Sequence, residues 1–143
     1  TEAAAMTLHC FMQTQHPVPG SDAAPVHYPV CEWVGEGGQV DVQHPLNRFV
    51  CAWLTSDVNT VEHCQDVLAA LGQVASGQRT HWAVDGEAFN VDVHPSGLQF
   101  NFSHVGPDDA GWWNLPEACF ALAQVRDLLS AWCAYLRESN RTD

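Results

Sequence analysis

The segment from Thr80 to Phe102 narrows the possible folds more than any other part of the sequence. Residues 89–93 and 98–102 alternate apolar with polar side chains, as strands with one buried face do. Asp85-Gly86 and the stretch from His94 to Gly97 are turn sequences, and Asp-Gly favours a tight two-residue hairpin. We therefore predict a three-stranded antiparallel meander with strands at 80–84, 87–93 and 98–102, one face buried and the other in water.

Two amphipathic helices are predicted on either side of this meander. Asn59 and Glu62 fit a capping box, and the apolar periodicity that follows ends at Gly77, a residue that favours the left-handed conformation of helix ends. A second capping box, Asn114 with Glu117, predicts a helix from about 114 to 138 and a frayed tail at 139–143. The expected buried stripe of this second helix is Leu122, Val125, Leu129, Trp132 and Leu136.

Four more strands are predicted before the first helix, at about 6–12, 26–34, 39–42 and 48–55. Residues 48–55 are apolar on both faces of a strand, so we expect that strand to be central. The predicted fold is α+β: an antiparallel sheet of about six to seven strands with two amphipathic helices packed on one face. We expect one domain over residues 1–143. Met6 is a candidate native start, with residues 1–5 either derived from an expression vector or disordered.

Acidic residues outnumber basic ones throughout the chain. Seventeen Asp and Glu stand against five Arg and no Lys, which gives a net charge of −12. A field of this sign repels nucleic acid and anionic membranes and speeds encounter with cationic proteins. We therefore predict no direct binding of nucleic acid and no membrane association. Because no apolar run reaches roughly 18–20 residues and no signal peptide is recognisable, we expect a cytoplasmic protein.

Sequence patterns typical of catalysis or cofactor binding are missing. The eight His and six Cys lack the short ligand spacings of zinc sites, and neither a G-x-S-x-G motif nor a phosphate-binding glycine loop is present. Cys31, Cys51, Cys64 and Cys133 lie in apolar stretches, where we expect reduced and buried thiols. We predict no catalytic residue, no metal ligand and no cofactor, and hence a protein that is not an enzyme.

Two features of the sequence suit the binding of a protein partner. The outer face of the meander carries Asp92 and lies beside acids of the first turn, and the loop that ends at Trp113 combines carboxylates with two neighbouring Trp. A Trp surrounded by carboxylates is typical of a hot spot for a cationic surface. A plain solvated sheet face, and a loop whose aromatics only fill the core, are the alternatives. The predicted partner-binding residues are Asp85, Glu87, Asp92, Asp108, Asp109, Trp112 and Trp113.

Several short stretches from Arg48 onward carry a resemblance to a known family: Trp53-Leu54, Ser76-Gly77-Gln78-Arg79, Asp85-Gly86-Glu87, Leu98-Gln99-Phe100 and the final amphipathic helix. Over roughly the last two thirds, the chain resembles the uncharacterised YacL-like family of proteobacteria, which implies no activity. By size, acidity and lack of catalytic motifs it is also similar to bacterial immunity proteins of contact-dependent inhibition and type VI secretion systems. That similarity implies a cytosolic α+β domain that binds one cognate toxin, often a basic nuclease or deaminase.

The leading prediction is therefore an acidic protein that neutralises a basic toxin by covering its active site. Opposite charges would raise the association rate, and a few desolvated anchors would set the dissociation rate. Two alternatives stay open. One is a small enzyme or ligand-binding domain with a pocket between sheet and helices. The other is a secretion chaperone or structural subunit, which a large exposed apolar patch would indicate.

Overall fold

The computed structural model describes residues 7–109 and 113–141. Within them the fold is α+β, as predicted, with six antiparallel strands and three α-helices. The strands are β1 (Thr7–Gln15), β2 (Val26–Val34), β3 (Trp82–Asp85), β4 (Phe89–His94), β5 (Gly97–Phe102) and β6 (Cys119–Phe120). The helices are α1 (Ala52–Ser56), α2 (Val61–Ser76) and α3 (Leu122–Arg141). The strands form a β1-β2 hairpin and a separate sheet in the order β3-β4-β5-β6, rather than the single sheet that the sequence predicted.

Residues 46–56 are helical, so the predicted central strand at 48–55 is wrong. A π-helical turn (Leu46–Cys51) runs directly into α1, and five of the six buried side chains recur at positions 46, 49, 50, 53 and 54, with Cys51 as the sixth. This three- and four-residue spacing marks one face of a helix, whereas an apolar run by itself fits a buried strand equally well. The predicted strand at 39–42 is reduced to an isolated bridge between Val34 and Val40.

The first capping box lies one residue away from its predicted position. Thr60, and not Asn59, caps α2: its Oγ1 accepts the backbone amide of His63 at 3.2 Å. The predicted end of the helix is confirmed, because Gly77 follows Ser76 in the left-handed conformation with φ of 83°.

The second capping box does not begin a helix. Asn114 has a φ of 59°, which is the left-handed region and not the extended conformation of a helix N-cap. A 3-10 turn (Pro116–Ala118) and the short strand β6 follow it, and α3 begins only at Leu122. The helix then continues to Arg141, past the predicted end at 138, and residues 142–143 lie outside the described part of the chain.

One hydrophobic core joins the helices, the four-stranded sheet and the hairpin. The helical segment 46–56 lies on the core face of the sheet, where Phe49 contacts Phe102 and Trp53 contacts Phe100, with ring centroids 5.5 and 5.3 Å apart. Helix α2 packs on β3 and β4, and α3 packs on α2 and β1. The predicted stripe of α3 is confirmed, because all five of its residues are buried: Leu122, Val125, Leu129, Trp132 and Leu136.

The predicted meander is present, but its first turn is longer than the expected Asp-Gly turn. Residues 86–88 connect β3 to β4, and the carboxylate of Asp57 accepts the amides of Ala88 and Phe89 at 3.1 Å each. A Cβ atom on Gly86 would clash with this carboxylate. A side chain that is distant in sequence therefore shapes the turn, which local turn preferences do not reveal.

Candidate functional site

The four-stranded sheet has a polar side that faces away from the core, and we call it the open face. Strand register places its side chains in rows that run across the strands. The open face consists of one row of Ala83, Asp92, Gln99 and Cys119, a second row of Asp85, Asn90 and Asn101, and the histidines His81 and His94 at one end.

Arg and Lys are absent from the whole stretch of chain that forms this sheet. Residues 80–125 include all of β3 to β6 and contain six carboxylates but neither Arg nor Lys. The flanking cations contact the helical side instead: Arg79 Nε donates to Gln73 Oε1 at 3.0 Å, and Arg126 lies beside Gly72 of α2. Arg48, from the helical segment 46–56, lies 3.9 Å from Glu117, and the other carboxylates of this stretch add negative charge to the sheet side.

Asp92 is the acid at the centre of the open face. Its row neighbours on β3 and β5 are the uncharged residues Ala83 and Gln99, and its carboxylate Oδ1 lies 3.6 Å from Nε2 of His81. The rings of His81 and His94 are in contact, with centroids 4.7 Å apart.

A groove of about 630 Å³ lies on the open face where β5 meets β6, with Asp92, His94, Gln99 and Cys119 among its lining residues. Gln99 holds the groove together: its Nε2 donates to the Leu115 carbonyl at 3.0 Å, and its Oε1 accepts from the Cys119 thiol at 2.8 Å. Cys119 and His94 lie on β6 and β4, with β5 between them. Since neighbouring strands are about 4.8 Å apart, the backbones that carry this thiol and this imidazole are separated by roughly 10 Å.

The described ranges contain no group of three His, Cys, Asp or Glu side chains that converge as metal ligands do. Nor does any helix within them have the length and apolar character to span a bilayer. The polar side chains of the open face are carboxylates, amides, imidazoles and the Cys119 thiol, which can make ionic contacts and hydrogen bonds.

Asn101 connects the open face to the loop at 103–115. Its side chain is 2% exposed, and its Oδ1 accepts the backbone amide of Asn114 at 2.8 Å. This hydrogen bond places Trp113, which is 41% exposed, at the border of the open face. The strand pattern marked Asn101 only as solvent-facing, because alternation does not reveal that Asn114, thirteen residues later, comes back to it.

The predicted partner-binding residues fall into two groups at the surface. Asp85 and Asp92 belong to the open face, and Glu87 is exposed in the adjoining turn. Asp108 and Asp109 are exposed in the loop, where Asp109 Oδ2 accepts the Gly106 amide at 2.8 Å and closes a turn. Trp112 lies outside the described residues. The hydrogen bond between Asn101 and Asn114 is the described contact that joins this loop to the sheet.

The residues that position these groups were not predicted from the sequence. Asp57, Gln99 and Asn114 act through contacts with residues distant along the chain, and no local motif marks them. The pairing of His81 with Asp92 had a weaker signal in the sequence. His81 directly precedes β3 and Asp92 lies on the neighbouring strand β4, so strand alternation could have placed the two on one side.

Comparison with known proteins found no similar family, protein or structure. No protein-family model matches the chain, no curated protein matches its sequence, and no solved structure matches its fold. The resemblances to the YacL-like family and to bacterial immunity proteins therefore stay predictions. The open face, its groove and the adjoining loop have to be interpreted from their own geometry and charge.

Proposed function

We propose that the protein is an acidic inhibitor that binds a basic protein through the open face and the adjoining loop. The partner is a toxin domain of nuclease or deaminase type, and binding covers its active site. The observation that carries the proposal is the charge distribution: the whole β3–β6 sheet comes from a stretch with six carboxylates and no Arg or Lys. Proteins that act on nucleic acid need a cationic surface to attract phosphates, and such a surface is complementary to this one.

The two groups of residues have different roles in the proposed complex. Asp85 and Asp92 supply the long-range attraction that steers encounter, since charges at the surface act mainly on the association rate. The partly exposed Trp113 supplies apolar area at the border of the face, which suits an anchor that slows dissociation. Asn90 and Gln99 add polar groups between them that can pair with the partner's side chains or with bridging water.

The decisive experiment expresses the protein together with the product of the neighbouring gene and purifies either one. We expect a stable complex with one copy of each protein, whose dissociation constant rises steeply with salt. We also expect the partner's activity to be lost in proportion to the inhibitor added. Failure to purify any cationic partner argues strongly against the proposal. Turnover of a small molecule by the purified chain, abolished by changing one His or Cys, overturns it.

The groove on the open face favours a second candidate, a domain that binds a small cationic ligand. Its volume of about 630 Å³ lies within the usual range of about 300–1,000 Å³ for ligand sites. Asp92 and Gln99 provide acceptors for an amine or a guanidinium group. Titration with spermidine or agmatine by NMR separates the two functions. Saturable shifts at Asp92 that Asp92→Asn abolishes favour a small ligand, whereas weak shifts spread over all acids favour a protein partner.

A further inference from the structure

Three of the six cysteines meet where the β1-β2 hairpin packs on the helical segment 46–56. Cys10 and Cys31 are directly opposite each other in the register of β1 and β2. The Cys31 sulfur also lies 3.8 Å from the backbone oxygen of Cys51, in the π-helical turn. Cys31 therefore stands between the other two thiols, although the three residues are far apart in sequence.

The backbone geometry of this cluster suits a disulfide bond. Directly opposite residues of an antiparallel pair have Cα atoms about 4.5–5.5 Å apart, inside the window of about 4.4–6.8 Å that a disulfide spans. Access to the three thiols is graded: Cys10 is half-buried, whereas Cys31 and Cys51 are buried. An oxidant from solvent therefore meets Cys10 first.

We propose that Cys10, Cys31 and Cys51 form a site of reversible oxidation by low-molecular-weight disulfides. Cys10 is the thiol that reacts with the oxidant, Cys31 forms the intramolecular disulfide with it, and Cys51 exchanges into that bond. This proposal is independent of the function proposed for the open face, since it concerns the opposite part of the fold.

The reaction proceeds in balanced steps of thiol–disulfide exchange. The Cys10 thiolate attacks one sulfur of the small disulfide, whose S–S bond breaks, and the leaving thiolate takes up the proton that Cys10 lost. The Cys31 thiolate then attacks the Cys10 sulfur of this mixed disulfide and expels the second small thiolate, which is protonated in turn. Two protein thiols are oxidised, and one small disulfide is reduced to two thiols. Attack of Cys51 on the Cys31 sulfur moves the bond to Cys31–Cys51 and releases Cys10 as a thiol.

The environment of the cluster determines how fast these steps run. Burial and the nearby Cys51 thiol raise the pKa of Cys10 to about 11. Hydrogen bonding with Cys51 and burial also raise the pKa of Cys31. Because the thiolate is the attacking species, we expect slow oxidation at neutral pH. As long as the pH is below the pKa of Cys10, the oxidation rate should increase about tenfold for each unit by which the pH is raised.

The chain contains its own control pair. Cys64 on α2 and Cys133 on α3 are close enough that burial and Cys133 raise the pKa of Cys64 to about 12. Both side chains are buried, and neither offers an accessible thiol like Cys10. We therefore expect this pair to stay reduced in the native protein and to oxidise only after unfolding.

The test incubates the native full chain with oxidised glutathione at mildly alkaline pH. It then quenches with acid, alkylates the remaining thiols, and identifies linked peptides by mass spectrometry. We expect a Cys10–Cys31 or Cys31–Cys51 peptide and a melting temperature several degrees higher, because the bond closes a loop of the chain. Cys31→Ser should stop the reaction at a mixed disulfide on Cys10, and Cys133→Ser should change nothing.

A second variant keeps the test decisive if Cys31→Ser fails to fold. Cys10→Ser removes only the half-buried thiol and should slow formation of Cys31–Cys51 at least about tenfold, since the accessible nucleophile is gone. The proposal is overturned if the wild-type chain forms neither Cys10–Cys31 nor Cys31–Cys51, whether all three thiols stay reduced or Cys10 ends as a mixed disulfide. It is also overturned if Cys64–Cys133 forms as fast as a disulfide of the cluster.

Discussion

The carboxylate of Asp57 holds the backbone amide of Phe89 at 3.1 Å, and this contact ties the end of α1 to the first turn of the four-stranded sheet. The same carboxylate accepts the amide of Ala88. Because Asp85 precedes this turn and Glu87 lies in it, a helix-end residue on the core side positions two acids of the proposed binding surface.

We expect Asp57→Ala to lower the free energy of unfolding by about 2–3 kcal/mol, since the two half-buried amides lose a charged acceptor. Urea denaturation followed by circular dichroism measures the change. Asp66→Ala, at an exposed position on α2, removes the same charge and should stay within about 0.5 kcal/mol of wild type. Equal effects of the two substitutions would mean that Asp57 contributes only its charge.

The close approach of β6 to Gly97 gives a second prediction. Gly97 has a φ of 144°, and a Cβ atom there would clash with the carbonyl oxygen of Phe120. Gly97→Ala should therefore push β6 away from β5 and lower the free energy of unfolding by about 1–3 kcal/mol. Gly72→Ala is the matched control: it lies inside α2 with room for a methyl group, so it should stabilise the protein by about 0.5–1 kcal/mol. Similar stability of both variants in denaturant would contradict this account.

The parts of the fold that the sequence predicted well depend on local patterns. The two alternating runs became β4 and β5, Gly77 ended α2, and the apolar stripe from Leu122 to Leu136 is buried in α3. The sequence prediction failed where one pattern of apolar residues is compatible with two kinds of secondary structure. The apolar run at 48–55 suits a buried strand as well as a helix, and the contact of Phe49 with the sheet, which favours the helix, is long-range.

The acidic residues of the candidate site were predicted from the sequence, but the contacts that hold the site together were not. Asp92 was recognisable because alternation places it between buried residues of β4, and Asp85 because it was expected in the first turn of the meander. The backbone amide of Asn114 donates to Asn101 and so joins the loop to the sheet. This contact depends on the left-handed backbone conformation of Asn114, which the sequence did not predict. The groove beside Gln99 exists only because β6 pairs with β5, in a segment whose pattern resembled the start of a helix.

A buried hydrogen bond between α3 and the chain after α1 leads to a third prediction. Trp132 is buried, and its indole nitrogen donates to the carbonyl oxygen of Val58 at 2.6 Å. Trp132→Phe should lower the free energy of unfolding by about 2–4 kcal/mol, since it leaves that carbonyl unpaired and opens a cavity. Trp82→Phe, at a half-buried position on β3, should cost less than half as much. Chemical denaturation measures the free energy of unfolding of both variants. A smaller decrease for Trp132→Phe than for Trp82→Phe would refute the structural role of the hydrogen bond.

Alkaline pH should destabilise the protein through its buried thiols. The pKa of Cys64 is raised from about 9 to about 12 by burial and by Cys133, so above pH 9 the unfolded chain loses this proton before the folded one does. Stability is then lost as the pH rises from about 9 to about 12. Cys64→Ala should flatten this decline in melting temperature, whereas Cys119→Ser, at an exposed position, should leave it unchanged. An identical decline in all three proteins would assign it to other groups.

The charge of the open face should control the rate at which the proposed basic partner binds. Asp92→Lys reverses the central charge of the face, and we expect the association rate constant at low salt to fall about tenfold. Asp66→Lys makes the same change in net charge on the exposed side of α2, away from the sheet, and should slow association far less. A double variant, Asp108→Lys with Asp109→Lys, tests in the same way whether the loop contributes to the association rate. Stopped-flow fluorescence at several salt concentrations measures each rate. If the variant with lysine at Asp108 and Asp109 associates as fast as wild type, the loop is not part of the interface. If Asp66→Lys and Asp92→Lys slow association equally, net charge alone steers the encounter, and the open face has no special role.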